Sequence, residues 1–256
     1  ILAGGQSLIP MMKLRLADPQ VIIDLGRISS MNYISQRDGG IAIGGMTTYE
    51  QIESSNAVPS LLSETASSVA DVQVRNRGTI GGSLSHNDPA ADLPAAIIAL
   101  GGEIITSSKN AHRTIHAKDF FVDLFTTDLG DNEILSEVFI KSQPSSSGSA
   151  YLKFANKASH YAIVGVATVI ETDSSGNCSS ANIGVSGAGP SAFKAEEAEK
   201  VLIGSKLDES IITEAAAQAG NGIEFNEDVH ASAEYRAHLL KVYAARAIRK
   251  AVSRIA

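Results

Sequence analysis

The chain has 256 residues, enough for two modest domains or one large one, and its 44% hydrophobic and 19% charged composition suits a sizeable core. A net charge of -7 argues against a nucleic-acid surface, no apolar run reaches the roughly 18 residues of a membrane span, and no charged-then-apolar signal pattern is visible at the start of the sequence given. The lone cysteine, Cys178, can neither close an internal disulfide nor hold an iron-sulfur cluster by itself, so cytoplasmic residence is the default expectation.

Ile1 stands directly against a glycine loop, "LAGGQS", and a strand that should precede the loop is expected to be missing. "PQVIIDLGRI" reads as a short buried strand, Val21 to Leu25, ended by Gly26. A strand around Ile41–Ile43 leads to a helix, where Thr47 and Glu50 have capping-box spacing. Pro59 opens a second helix in "PSLLSETASSVA". A second Gly-Gly loop, "RGTIGGSLSHNDPAADLP", precedes "LPAAIIALGGEIITSS", read as helix, glycine stop and strand. "HRTIHAKDFFVD" reads as a strand and a short helical turn, and "NEILSEVFIK" as a strand alternating after Leu135.

Ser142 to Ala150, "SQPSSSGSA", has the composition of a linker, which divides the chain into domains 1–143 and 150–256. Beyond it, "YAIVGVATVIE" and "ANIGVSGAG" form an antiparallel hairpin with Cys178 in its tip. Two helices with glycines after them follow, then the longest helix, whose Leu239, Leu240, Tyr243, Ala247 and Ala251 recur at three- and four-residue steps.

The two glycine pairs carry the chemistry. Glycine permits positive φ and lets a ligand approach main-chain amides, and consecutive amides pointing one way form a concavity for anionic oxygens. Ser7, Thr79 and Ser83 add hydroxyls without bulk, and Asp88 and Asp92 add carboxylates suited to accept from sugar or ribityl hydroxyls. Two such loops would clamp a pyrophosphate from both sides. Each pair taken alone is more often a turn or bulge than a ligand cradle, and Asp88-Pro89 is also a good helix start. Neither loop matches the G-x-G-x-x-G or the P-loop pattern.

At these residues the sequence becomes recognisable. "LAGGQSLIPMMKLRLADPQVIIDLGRI" and "VRNRGTIGGSLSHNDPAADLPAAIIALGGEI" closely resemble the FAD-binding medium subunit of the molybdenum hydroxylases, the family of aerobic carbon monoxide dehydrogenase and of the xanthine dehydrogenase FAD domain. "SAEYRAHLLKVYAARAI" resembles the same family's C-terminal domain. The resemblance implies an α+β fold: a two-lobed FAD-binding domain of the vanillyl-alcohol-oxidase and p-cresol-methylhydroxylase (PCMH) type, followed by a small α+β domain. It implies that Leu2, Ala3, Gly4, Gly5, Gln6, Ser7, Leu8 and Ile9 wrap the FAD pyrophosphate from one lobe. Thr79, Ile80, Gly81, Gly82 and Ser83 do so from the other. Asp92, with Asp88 near it, would take the sugar-side hydroxyls, Ile134 and Lys153 would lie near the flavin, and Tyr161 would pack on its ring.

No catalytic residue and no metal ligand is expected in this chain. His86 beside the second loop lacks a partner at ligand spacing and reads as a hydrogen-bonding loop residue. Arg75 and Arg77 read as solvated or as docking contacts, and the other histidines as scattered. By resemblance, a molybdenum-pterin large subunit oxidises the substrate, a small subunit with two [2Fe-2S] clusters relays electrons, and FAD passes them to NAD or a quinone. Such a complex would be a hetero-oligomer, a dimer of heterotrimers. The competing readings are a stand-alone flavin oxidase of the same fold and a nucleotide-binding module without redox chemistry.

Overall fold

The computed structural model describes residues 1–37 and 39–255. The first lobe is small. Helix α1 (Leu8–Lys13) starts as soon as the glycine loop ends, and Leu2 forms a single parallel bridge with Asp24. The Leu2 N–H donates to the Ile23 carbonyl at 2.8 Å, and the Leu25 N–H to the Leu2 carbonyl at 2.9 Å. The expected buried strand is therefore an extended segment with one neighbour. Leu25 is buried, but Val21 is 74% exposed. Apolar content predicts burial only where a second layer packs on the segment, and among the described residues none covers Val21 to Ile23.

The second lobe is built on an antiparallel sheet. Its elements in chain order are β1 (Ile34–Arg37), β2 (Gly40–Gly44), α2 (Tyr49–Glu53), α3 (Ser60–Ser67), α4 (Val72–Arg75), α5 (Ile80–His86), α6 (Leu93–Ala99), β3 (Glu103–Ser107), β4 (His112–His116), α7 (Ala117–Phe120), β5 (Phe121–Asp123), β6 (Thr126–Thr127) and β7 (Ile134–Lys141). The five-stranded sheet runs β1-β2-β7-β3-β4, with β5 and β6 as a separate small hairpin. The alternation expected along β7 is interrupted because Ser136 bulges opposite Ile105 and Thr106, so that Leu135, Val138 and Ile140 are the apolar residues that reach the core.

Three local readings shift. The capping box of α2 uses Thr48 and Gln51, one residue later than expected, because Thr47 is buried and its hydroxyl donates to the Tyr33 carbonyl at 2.9 Å. The second Gly-Gly pair is not a loop. Gly81 and Gly82 lie in the first turn of α5, whose Thr79 cap accepts from the Gly82 N–H at 3.2 Å. Asp88-Pro89 does not start a helix: Asp88 accepts from the Ala90 N–H in a tight turn, and α6 begins four residues later with Asp92 at its N-cap position and Pro94 in its first turn.

The second domain comprises β8 (Ser147–Ala155), β9 (Ala162–Thr172), β10 (Cys178–Ser186), β11 (Phe193–Lys194), α8 (Glu196–Leu202), α9 (Glu209–Gln218) and α10 (Ala233–Val252), with sheet order β11-β10-β9-β8. The linker is shorter than its composition suggested, because Ser147 to Ala150 pair with β9 rather than remaining loose. Cys178 is not in the hairpin tip. It is the first residue of β10 and is buried, while Asp173 closes the turn by accepting from the Ser175 and Asn177 amides. Leu239, Leu240, Ala247 and Ala251 of α10 bury one stripe against this sheet, and Tyr243 is half-buried beside them.

The other face of the sheet belongs to the first domain. Tyr151, Ala167 and Val169 pack into the core formed by α3, α6 and the five-stranded sheet. Helix α6 lies so close to β10 that a Cβ added at Gly184 would sit 2.0 Å from the Ala95 carbonyl oxygen. The domains therefore share α6 as a common wall, and the N-terminal end of that helix carries Asp92 into the site.

Candidate functional site

The two glycine segments meet across one cleft. A Cβ added at Gly4 would lie 2.1 Å from the Arg77 carbonyl oxygen, and one added at Gly82 would lie 3.3 Å from the Ala3 side chain. Gly5 has φ of +77°, a conformation other residues adopt at a cost. The cleft between the segments encloses about 810 Å³, in the upper part of the range of small-molecule and cofactor sites.

The two segments present different chemistry to it. None of the N–H groups from Ala3 through Leu8 meets an acceptor within the described residues, whereas Ile9 and Met11 bond back to Gly5 and Ser7. Six consecutive donors are thus left open in a segment that lines the cleft. The expectation of open amides on both sides fails for the second segment. There the Ile80, Gly81, Gly82 and Ser83 amides bond to the Thr47 carbonyl, the Gly45 carbonyl, the Thr79 hydroxyl and the Thr79 carbonyl. The helical start of α5 consumes these donors, so this segment offers the Ser83 side chain and the small surface of its glycines.

Of the other expected residues, Asp88, Asp92, Ile134 and Tyr161 line the cleft. Leu2, Ile9, Ile80 and Lys153 do not. Leu2 is taken up by its bridge to Asp24, Ile9 packs beneath Gly5, and Ile80 is fully buried in the core. His86 lines the cleft and stacks on Phe125 with ring centroids 5.0 Å apart. Arg75 is structural: it pairs with Glu53 at 2.7 Å and donates to the Val69 carbonyl.

Beneath the floor lies a buried polar cluster. Asp92 accepts from the Tyr151 hydroxyl on one oxygen and from the Lys153 ammonium at 3.0 Å on the other. Lys153 also donates to the Ser68 carbonyl at 2.8 Å and the His160 carbonyl at 2.7 Å. Burial raises the Asp92 carboxyl above the usual carboxylate range, and the Lys153 charge opposes that rise. Glu133 at the rim behaves oppositely: the Arg113 guanidinium and the Gly130 N–H pull its carboxyl down to about 2.

Several wall residues escape the sequence reading. Gly45 receives the Gly81 N–H, and a Cβ added at Gly81 would lie 2.6 Å from its carbonyl oxygen. A third Gly-Gly pair, Gly44–Gly45, was the available signal. Val69, Ala70 and Asp71 form another wall, and Ser159 and His160 a third, with no motif to mark them. The described lining holds four carboxylates, Asp71, Asp88, Asp92 and Glu133, and no lysine or arginine. Among the described residues no group of three His, Cys, Asp or Glu side chains is placed to hold a metal ion.

Comparison with known proteins covers nearly the whole chain. Residues 1–142 match the FAD binding domain in molybdopterin dehydrogenase, and residues 149–251 match the CO dehydrogenase flavoprotein C-terminal domain. The 6-hydroxypseudooxynicotine dehydrogenase complex subunit alpha of Paenarthrobacter nicotinovorans is 37% identical over 99% of this chain and 87% of its own length. The carbon monoxide dehydrogenase medium chain of Hydrogenophaga pseudoflava is 35% identical over 100% of this chain and 90% of its own. The solved structure of carbon monoxide dehydrogenase from Hydrogenophaga pseudoflava lacking the Mo-pyranopterin moiety superposes with a TM-score of 0.96, at 37% identity, over 100% of this chain and 90% of that one.

Proposed function

This chain belongs to the family of FAD-binding subunits of the molybdopterin dehydrogenases, and on that premise we propose that its cleft holds FAD as the electron-transfer station of a molybdenum hydroxylase complex. The observation that carries this reading is the run of open amides from Ala3 to Leu8 facing a cleft without a cationic side chain. A diphosphate needs donors, and here unpaired backbone amides supply them, with the Ser7 and Ser83 hydroxyls beside them.

The residues fit the group. Ala3 to Leu8 wrap the diphosphate and supply the donors, and Thr79 and Gly81 to Ser83 close on it from the opposite side through small side chains and hydroxyls. Asp88 and Asp92 accept from ribityl or ribose hydroxyls, Asp92 through the lone pairs that its Tyr151 and Lys153 partners leave free. Ile134 and Tyr161 supply an apolar edge and an aromatic face for the ring. When bound, the flavin supplies one-electron acceptance from [2Fe-2S] clusters and paired delivery to NAD or a quinone. The protein's part is to orient the ring and to limit water at it. No side chain is required as a general acid or base.

The companions on this reading are a molybdenum-pterin large subunit and a [2Fe-2S] small subunit, and the assembly is cytoplasmic. No helix among the described residues is long and apolar enough to cross a membrane. The test is the absorption spectrum and cofactor content of the purified protein, with and without co-expressed neighbours. Flavin bands, one FAD per chain and co-purification with iron- and molybdenum-containing subunits are expected. A colourless protein overturns the flavin assignment, and a lone flavoprotein reduced directly by an organic substrate overturns the electron-transfer role in favour of an oxidase.

A further inference from the structure

We propose that the tip of the β5–β6 hairpin, Leu124 and Phe125, is a fixed screen at the rim of the cleft that selects the electron acceptor, admitting a flat single-ring quinone and holding back bulkier oxidants. The inference rests on the FAD reading for its consequence, whereas the screen itself is built from protein groups outside the cleft.

The hairpin is short and its tip is apolar. Val122, Leu124 and Phe125, three of four consecutive residues, are each more than half exposed. Neither Leu124 nor Phe125 lines the cleft. A hairpin of one three-residue and one two-residue strand is not stable by itself, so other groups must hold it. Asn87 does this. Its buried side-chain amide has two N–H donors, and both go to the hairpin, at 2.8 Å to the Asp123 carbonyl and 2.7 Å to the Thr126 carbonyl. Asp123 and Thr126 are the paired residues that flank the tip. Asn87 closes α5 with φ of +48°, a left-handed conformation that asparagine tolerates. Phe125 has φ of +52°, where a bulky side chain is a genuine outlier. Backbone of this kind persists only where the surroundings impose it, and it clusters at functional sites.

The strained residue is turned onto the site. The Phe125 ring lies 5.0 Å from that of His86, which lines the cleft. Beyond β6 the chain runs through Leu129 and Glu133 to Ile134, all of which line the cleft. Phe125 therefore stands beside the end of the cleft assigned to the flavin ring, and an acceptor passes an apolar, fixed edge to reach it. Such an edge suits a neutral planar quinone. The quinone takes two electrons and two protons from the reduced flavin and leaves as the hydroquinone.

The first test needs no cofactor. In the full chain stripped of FAD, Asn87→Gly keeps the left-handed turn and removes both donors. Hydrogen exchange in residues 121–127 is expected to rise at least about tenfold while α10 stays protected. Unchanged exchange overturns the pin. The second test uses Phe125→Gly in the FAD-loaded chain, a substitution that relieves the positive φ while removing the ring. The flavin is photoreduced without oxygen and mixed with duroquinone, which has one ring, or with the two-ring dye dichlorophenolindophenol. The dye's rate constant is expected to rise about tenfold or more in the variant, while that of duroquinone stays within about threefold. A ratio of the two rates that does not move overturns the screen. Protein without flavin bands overturns the FAD reading and the screen with it, so the two failures are told apart before any rate is measured.

Discussion

Gly4 and Arg77 touch across the cleft, backbone against backbone, so closely that a single methyl group at Gly4 would sit 2.1 Å from the Arg77 carbonyl oxygen. The mouth of the site is thus defined by the absence of a side chain. Gly4→Ala is expected to push the first segment away from α5, costing about 1–3 kcal/mol of stability, as overpacking does. Purified G4A protein should carry markedly less flavin. Full occupancy, read from the ratio of flavin to protein absorbance, would show that the contact is dispensable.

Asp92 ties the site to pH. Burial raises its carboxyl above the ordinary 3.8, with Lys153 and the Tyr151 hydroxyl opposing and the Asp88 charge adding to the rise. The folded state therefore binds this proton more readily than the unfolded chain does. Stability falls as pH rises from about 4 through the raised value. Asp92→Asn removes that contribution while keeping an acceptor for Tyr151. Urea midpoints measured from pH 4 to 7 should fall less steeply for the variant than for the unmodified protein. Parallel slopes would contradict the assignment.

Arg236 connects α10 to the cleft wall. Its buried guanidinium donates to the Ile163 and Gly187 carbonyls and to the Asp228 carboxylate, each at 2.7 Å. The Gly187 N–H in turn donates to the Pro89 carbonyl at 2.6 Å. Arg236→Met would leave two buried carbonyls without donors and is expected to cost about 3 kcal/mol. Thermal unfolding reads the stability loss, and a FAD titration of the surviving fold should show weaker binding as the Asp88–Pro89 turn loosens.

Cys178 should be inert in the native protein. Burial pushes its thiol from 9.0 up to about 11, which lowers the reactive thiolate about a hundredfold at neutral pH. Steric shielding slows reaction further. A disulfide reagent should titrate one thiol promptly in denaturant and almost none beforehand. Fast native reaction would place Cys178 nearer the surface than β10 allows.

The sequence by itself determined the features whose cause is local. Glycine pairs mark close approaches because only glycine tolerates them, so Gly4, Gly5, Gly81 and Gly82 point to the cleft from the sequence alone. The stripe on α10 and the glycine stops after helices were legible for the same reason: each follows from a fixed helical period or a single backbone requirement. Even here neighbours shifted the detail. Thr79 turned the second glycine pair into a helix start and consumed its amides, and burial of Thr47 moved the capping box to Thr48.

Tertiary structure alone decided the rest. Whether "VIIDL" is buried depends on which layer packs over it, and apolar content is silent on that. The walls at Val69–Asp71 and Ser159–His160 have no motif, and the Lys153 hydrogen bonds beside them, to the Ser68 and His160 carbonyls, span 85 and 7 residues of chain. The Asp92–Tyr151–Lys153 cluster joins residues about sixty positions apart. Hydrogen bonds of that span form only after two sheets have closed on α6, and no periodicity in a linear sequence records them.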